Sequence, residues 1–315
     1  MSTEAVGTLG FASRLMKRAT TASVAVAAVM IAIKLAAWIA TDSVSLLSSL
    51  LDSVLDAAAS ILNLMAVRQA FVPADREHRF GHGKAEPLAG LGQAAFIGGS
   101  AVFLLIEAVH HLAQPALPVN SVIGIAVMAV AIAVTVGLLA YQRYVIRHTG
   151  SLVVSADELH YRSDVILNAS VILSLVISNW TGWSYADPLF GIAIGLWIIF
   201  GAWQVTRKAL VQLMDHELPD TERARIRAIA QAHPEVTAVH DLRTRAAGPT
   251  AFIQVHLEMD GSMTLAEAHR VSDEVEAALI SAFPHTEVII HQDPAGVEEP
   301  RQSFPAASRG PALGD

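Results

Sequence analysis

Two pairs of side chains have the types and the spacing of a metal-ligand set. Asp52 and Asp56 stand four residues apart within SLLSSLLDSVLDAAAS, and His160 and Asp164 stand four apart within SADELHYRSDVILN. On a helix, residues i and i+4 share a face, so each stretch would present a matched pair from one side. Three carboxylates and one imidazole make a tetrahedral nitrogen/oxygen set, which suits Zn²⁺ at ligand distances of about 2.0–2.2 Å. An all-oxygen octahedral set would favour Mg²⁺ or Mn²⁺. The single histidine tilts the set toward zinc, cadmium or ferrous iron.

The elements that must carry these pairs are apolar. Of 315 residues, 53% are hydrophobic and 16% charged, against about 25% charged in an ordinary soluble domain. A membrane span needs about 20 apolar residues, and the sequence offers six: 19–40, 44–67, 88–112, 119–141, 152–178 and 188–205. Arg14, Lys17, Arg18, Arg68, Arg76, Arg79, Lys84, Arg143, Arg147, Arg207 and Lys208 fall in alternate connections, and the connections between them carry no Lys or Arg. Cationic loops stay cytoplasmic, so both termini are expected in the cytosol. Trp38, Trp180 and Trp183 fall near the opposite interface, where aromatic belts form. The segment 1–18 lacks a cleavable signal pattern.

Within such spans an Asp costs about 2.5–3.5 kcal/mol on insertion scales, so the two pairs read as functional. Counted from the outer ends, Asp52 and Asp56 lie about 8 and 12 residues in, and Asp164 and His160 about 14 and 18; boundary errors of about 2–4 residues permit a common level. Lys34 reads as a tertiary charge partner, Arg162 as a snorkelling side chain, and Glu107, His110 and His111 as interfacial.

After the last span the composition turns soluble. The division expected is a cytosolic N-terminus over 1–18, a membrane domain over 19–209, a cytosolic domain over 210–295 and a disordered tail over 296–315, rich in Pro, Gly, Ser and Glu. The cytosolic part reads helix (220–232), strand (236–245), strand (251–258), helix (264–283), strand (287–291), with a Gly248-Pro249 turn and a Thr264/Glu267 capping box. His240, His256 and His291 fall on strands and His269 on the second helix, where solvated surface histidines are the competing reading to metal ligands; Asp293 favours metal. In the loop after the second span, Asp75, His78 and His82 are spaced for a helix face, but Pro73, Gly81 and Gly83 argue for a loop.

These stretches, together with DSVLD, PADREHRFGHGKAEPLA, LHYRSDV, HDLRTRAAGPT and VIIHQDP, resemble the cation diffusion facilitator family, in its bacterial zinc and ferrous-iron efflux branch. The similarity runs from about Ser13 to Pro294. It implies six transmembrane helices with a C-terminal cytosolic α/β domain of α-β-β-α-β, ferredoxin- or metallochaperone-like order, assembled as a homodimer in the bacterial inner membrane. It implies a transport site at Asp52, Asp56, His160 and Asp164, and a loop site at Asp75, His78 and His82. It further implies a cytosolic binuclear site at His240, His256, His269, His291 and Asp293, with Gln292 beside them, and an inter-subunit charge interlock of Lys84 with Asp215. Such proteins can carry a Cys where this chain has Ala295, a position that is not a ligand in the pattern.

The expected function is therefore export of a divalent transition metal, Zn²⁺ first and Cd²⁺ or Fe²⁺ next, in exchange for protons. Zn²⁺ would serve as both cargo and structural or regulatory ion, with no organic cofactor. The competing readings are a membrane metal sensor or sequestering protein, and an intramembrane metalloenzyme, which would need an open coordination position. The sequence holds no cysteine, which excludes disulfides and thiolate ligands. It also holds no Gly-rich phosphate loop for ATP and no basic aromatic patch for nucleic acid. HEL at His216–Leu218 is not a zinc-protease motif, since Asp220 stands where the second histidine is needed. An enzyme is not expected.

Overall fold

The computed structural model describes residues 3–41, 44–113, 122–183 and 185–297. The expected disordered tail lies, beyond Val297, outside the described residues, as do parts of the three connections without cations. In chain order come α1 (Thr3–Thr41), α2 (Val44–Ala70), α3 (Ala85–Ala113), α4 (Val122–Thr149), α5 (Leu152–Thr181) and α6 (Ala186–Leu213). Then follow α7 (Asp220–Gln231), β1 (Ala238–Ala247), β2 (Thr250–Met259), α8 (Leu265–Ala282) and β3 (Thr286–Pro294). The chain divides into two compact units, the first centred on α1–α6 and the second on α7, α8 and most of the sheet.

Among the described residues, six helices are long and apolar enough to cross a bilayer. Where spans were expected, helices stand, but three reach well beyond them. α1 starts at Thr3 rather than near residue 19, α4 continues to Thr149 rather than stopping near 141, and α6 continues to Leu213 rather than 205. All three overruns carry basic residues on a helix with no Gly-Pro break, so the helices leave the apolar slab without ending. The outward side chains are apolar, with Phe103 69% and Trp180 87% exposed, as a lipid-facing surface requires.

α3 and α6 approach closely through small residues. A Cβ added at Gly195 would fall 2.7 Å from Leu105 Cδ2, and one at Gly191 would fall 3.1 Å from the Ala108 Cβ. Small residues let membrane helices meet at short range, where packing rather than the hydrophobic effect drives association. Ala94, Ile97 and Ala101 of α3 pack with Ile194, Ile198 and Ala202 of α6 and with Leu152, Ala156 and Leu159 of α5. A second cluster joins Leu15, Met16 and Ala19 of α1 to Val67, Val145 and Val153. The N-terminus of α5 is capped by Ser151, whose Oγ accepts from Val154 N and donates to Glu86 Oε1 at 2.6 Å; Leu152 N donates to the same Glu86 oxygen at 2.9 Å.

The C-terminal region has the expected α-β-β-α-β order, with sheet order β1-β2-β3. β1 and β2 form a hairpin through Gly248, whose φ of 57° suits a residue without Cβ. β3 runs parallel to β2, since Ala251 N meets His285 O at one end and Ala295 N meets Met259 O at the other. A parallel return needs a crossover, which α8 supplies. α8 starts with the expected capping box, Thr264 accepting from Glu267 N and Glu267 accepting from Thr264 N.

Candidate metal sites

α2 and α5 bring three of the four membrane residues together. His160 Nε2 lies 2.9 Å from Asp56 Oδ1 and 3.8 Å from Asp164 Oδ2. One ligand atom from each of these three lies within 4.8 Å of the other two. Asp52, one turn earlier on α2, stands outside this group but lines the same cavity. That cavity, about 610 Å³, is walled by α2, α3, α5 and α6, including Phe96, Phe103 and Leu167. A second hollow of about 190 Å³ meets the site from the α1 and α4 side and is lined by Lys34, Asp52, Asp56 and Asp164. The Lys34 ammonium donates to Ser53 Oγ at 2.7 Å and Ser49 O at 3.0 Å, so it does join α1 to α2. Arg162 stacks over Trp197 at 4.9 Å.

The sequence reading passed over Asp157. Fully buried on α5, it accepts from Ser23 Oγ of α1 (2.5 Å), Gln142 Nε2 of α4 (2.7 Å) and Asn63 Nδ2 of α2 (3.1 Å). Its signal was present: a carboxylate three residues before His160, on the same helix face, incurs the same insertion cost as the residues that were chosen.

Between α2 and α3 the chain is a loop, as Pro73 and the glycines argue. Asp75 Oδ1 accepts from the backbone N–H groups of His78 (2.6 Å) and Glu77 (2.9 Å), an Asx-type turn. These two bonds, the His78 one first, hold the Asp75 carboxyl below its ordinary range. The turn gathers the three expected residues: His78 Nδ1 lies 3.3 Å from Asp75 Oδ1 and His82 Nε2 lies 3.5 Å from Asp75 Oδ2. Lys84 pairs with Asp215 at 3.0 Å within the one chain; Arg245 Nη1 adds a contact at 3.3 Å. Burial pulls the Asp215 carboxyl upward, but the bonds from Lys84 and Arg245 outweigh it and hold the group below its usual value.

In the C-terminal domain, Asp293 is the centre. It is 6% exposed. Its Oδ2 faces His256 Nδ1 at 2.9 Å and His240 Nε2 at 3.2 Å, while its Oδ1 faces His291 Nε2 at 3.1 Å. A carboxylate that offers one oxygen to each side has the geometry of a bridging ligand. Gln292 turns away and donates to Ser272 Oγ at 2.9 Å. Asp241, at φ 46°, forms a ligand-distance group with His240 and His256, and Glu258 Oε1 lies 3.3 Å from His240 Nε2; the sequence reading singled out neither. His269 is not brought in. It lies exposed on α8, 3.7 Å from Asp273, in none of the ligand-distance groups. The helical phase that buries Val271 and Val275 points it outward.

Comparison with known proteins agrees with this layout. The description "Cation efflux transmembrane domain" matches residues 20–214, and "Cation efflux protein, cytoplasmic domain" matches residues 218–295. The cation-efflux pump FieF of Klebsiella pneumoniae subsp. pneumoniae is 46% identical over 297 residues, 94% of this chain and 97% of that protein. The cation-efflux pump FieF of Escherichia fergusonii is 48% identical over 285 residues, 90% of this chain and 94% of that protein. The solved metal-bound C-terminal domain of the CzcD transporter from Thermotoga maritima is 29% identical, covers 26% of this chain and 100% of its own, and superposes with a TM-score of 0.25. With both family domains present and near-full-length relatives this similar, the chain is a multi-pass membrane protein of the cation efflux, or cation diffusion facilitator, family.

Proposed function

We propose that this protein exchanges a divalent transition metal, Zn²⁺ foremost with Cd²⁺ and Fe²⁺ as alternatives, for protons, and exports the metal from the cytosol. The observation that carries the reading is the convergence of Asp56, His160 and Asp164 between α2 and α5, with Asp52 on the wall of the same cavity. Imidazole and carboxylate bind either a metal or a proton, so loading one expels the other. A polar site in the middle of a helix bundle that alternates between faces then becomes an exchanger. Asp52 is one turn from Asp56, and a small rotation of α2 brings it in as the fourth ligand.

The loop residues Asp75, His78 and His82 form a second metal position. His240, His256, His291 and Asp293 fit a binuclear one, because the donors are imidazoles around a shared carboxylate; bound Zn²⁺ there would supply cross-linking rather than chemistry. His269, facing outward, is available to a second subunit of a homodimer. The Lys84–Asp215 pair would serve the same assembly, in the bacterial inner membrane with both termini in the cytosol.

The test is purified protein in liposomes with a trapped pH dye. Added Zn²⁺ should enter and shift the internal pH, and Asp56→Ala should abolish both signals while still inserting. Zinc flux with an unmoved pH would refute the coupling. Full zinc flux in folded Asp56→Ala would refute the site.

A further inference from the structure

Two helices hold the proposed ligands, and three polar contacts tie those helices together. Asp56, Ser60 and Asn63 follow one another at spacings of four and three along one face of α2. On α5 the partners are Asp157, His160 and Tyr161, within one turn of one another. The helices run antiparallel, and the contacts join Asp56 to His160 at 2.9 Å, Ser60 to Tyr161 Oη at 3.0 Å, and Asn63 to Asp157 at 3.1 Å. Only the first rung contains metal ligands. The other two lie toward the cytosolic end of α2 and are more deeply buried, Ser60 at 1%, Asn63 at 2%, Asp157 at 1% and Tyr161 at 4% exposure.

The outer ends of these rungs are anchored in turn. Asp157 also receives Ser23 Oγ and Gln142 Nε2, and Tyr161 Oη also donates to Ser23 O at 3.2 Å. So α1 and α4 fix the α5 half of the ladder, and the ladder fixes α2 against it. The separation of α2 from α5 is the separation of Asp56 from His160 and Asp164.

We propose that Asn63 and Asp157, with the Ser60–Tyr161 contact, are positioning residues that set the size of the metal site and so its preference for smaller over larger ions. This rests on the transport-site reading above. Partners that orient ligands without touching the metal typically change affinity about 10–100-fold when removed. A rung that holds two ligand-bearing helices together at a set spacing acts on ions of different radius unequally. Asn63→Leu keeps the branched shape and deletes the rung. Tyr161→Phe deletes the other rung with minimal change of shape.

The experiment is competition between Zn²⁺ and Cd²⁺ for flux into liposomes containing the full chain. The readout is the ratio of KM values for the two metals. A role in stability alone lowers the fraction of active protein, hence the maximal rate, and leaves that ratio unchanged. Asn63→Leu is expected to shift the ratio toward Cd²⁺ by about 10-fold, and Tyr161→Phe to shift it in the same direction by less. Should Asn63→Leu fail to fold, Asn63→Ser, too short to reach Asp157, carries the same expectation. The reciprocal swap Asn63→Asp with Asp157→Asn rebuilds the rung and should return the ratio toward that of the unaltered protein. Unchanged ratios in folded Tyr161→Phe and in either Asn63 variant would overturn the proposal. Asp56→Ala run alongside separates the two failures: lost flux there with unmoved ratios elsewhere rejects the ladder and keeps the site, whereas retained flux rejects the site itself.

Discussion

His160 supplies the single nitrogen among the proposed membrane ligands, and its imidazole reaches both Asp56 and Asp164. Replacing it with Asp would make the set all-oxygen, which suits Mn²⁺ better than Zn²⁺. His160→Asp is therefore expected to raise competition by Mn²⁺ for zinc uptake by about 10-fold or more; competition equal to that of the unaltered protein would contradict the ligand assignment. At this scale the sequence was informative because the bilayer makes charged residues conspicuous. Two i,i+4 pairs in apolar segments singled out Asp52, Asp56, His160 and Asp164 without any contact information, and three of the four stand together in the fold. Asp157 carries the same signal but was missed, because one carboxylate without an i+4 ligand partner reads as local. Its partners Ser23, Asn63 and Gln142 come from three other helices, which spacing along one chain cannot reveal. The standing of Asp52, on the cavity wall and not within the ligand group, is likewise a matter of helix rotation about its axis.

The helices themselves were legible in number and order, since length and apolarity fix a span. Their ends were not. α1 begins at Thr3 and α4 ends at Thr149, because basic residues end a membrane slab without ending a helix. The same limit applies to the Lys84–Asp215 pair. It joins the start of α3 to the turn after α6, 131 residues apart, and only the family resemblance pointed to it. Asp215 carries a carboxyl held below its ordinary value, so the folded chain binds fewer protons there than the unfolded chain. Its contribution is then present above pH about 4 and is lost as pH falls through the lower, folded value. Asp215→Asn should lower the melting temperature at pH 7, and the gap from the unaltered protein should close on acidification below pH about 4. A gap independent of pH would show that the ion pair is not its source.

For the whole molecule, the C-terminal domain was read correctly in element order from alternation and caps, with boundaries within about 3 residues. The histidine pattern found three of the residues around Asp293. The family resemblance placed His269 with them, whereas the helix turns that side chain to solvent. If Zn²⁺ bridges those histidines in the folded state and not in the unfolded one, it stabilises by mass action. Adding Zn²⁺ to chelator-treated protein at about 100 times its dissociation constant should raise domain stability by about 2.7 kcal/mol for each ion bound, and Asp293→Ala should remove that gain while leaving the metal-free melting temperature within a few degrees. A zinc-dependent rise that survives Asp293→Ala would move the effect to another position. The shared carboxylate has one more consequence. On the proposed binuclear reading, the two oxygens of Asp293 serve different histidines, so the first ion to arrive would orient the ligand that the second needs. Occupancy of such a pair would rise with free metal more steeply than that of two separate sites. A domain built this way would report metal as a threshold, staying quiet at low supply and filling over a narrow span of concentration.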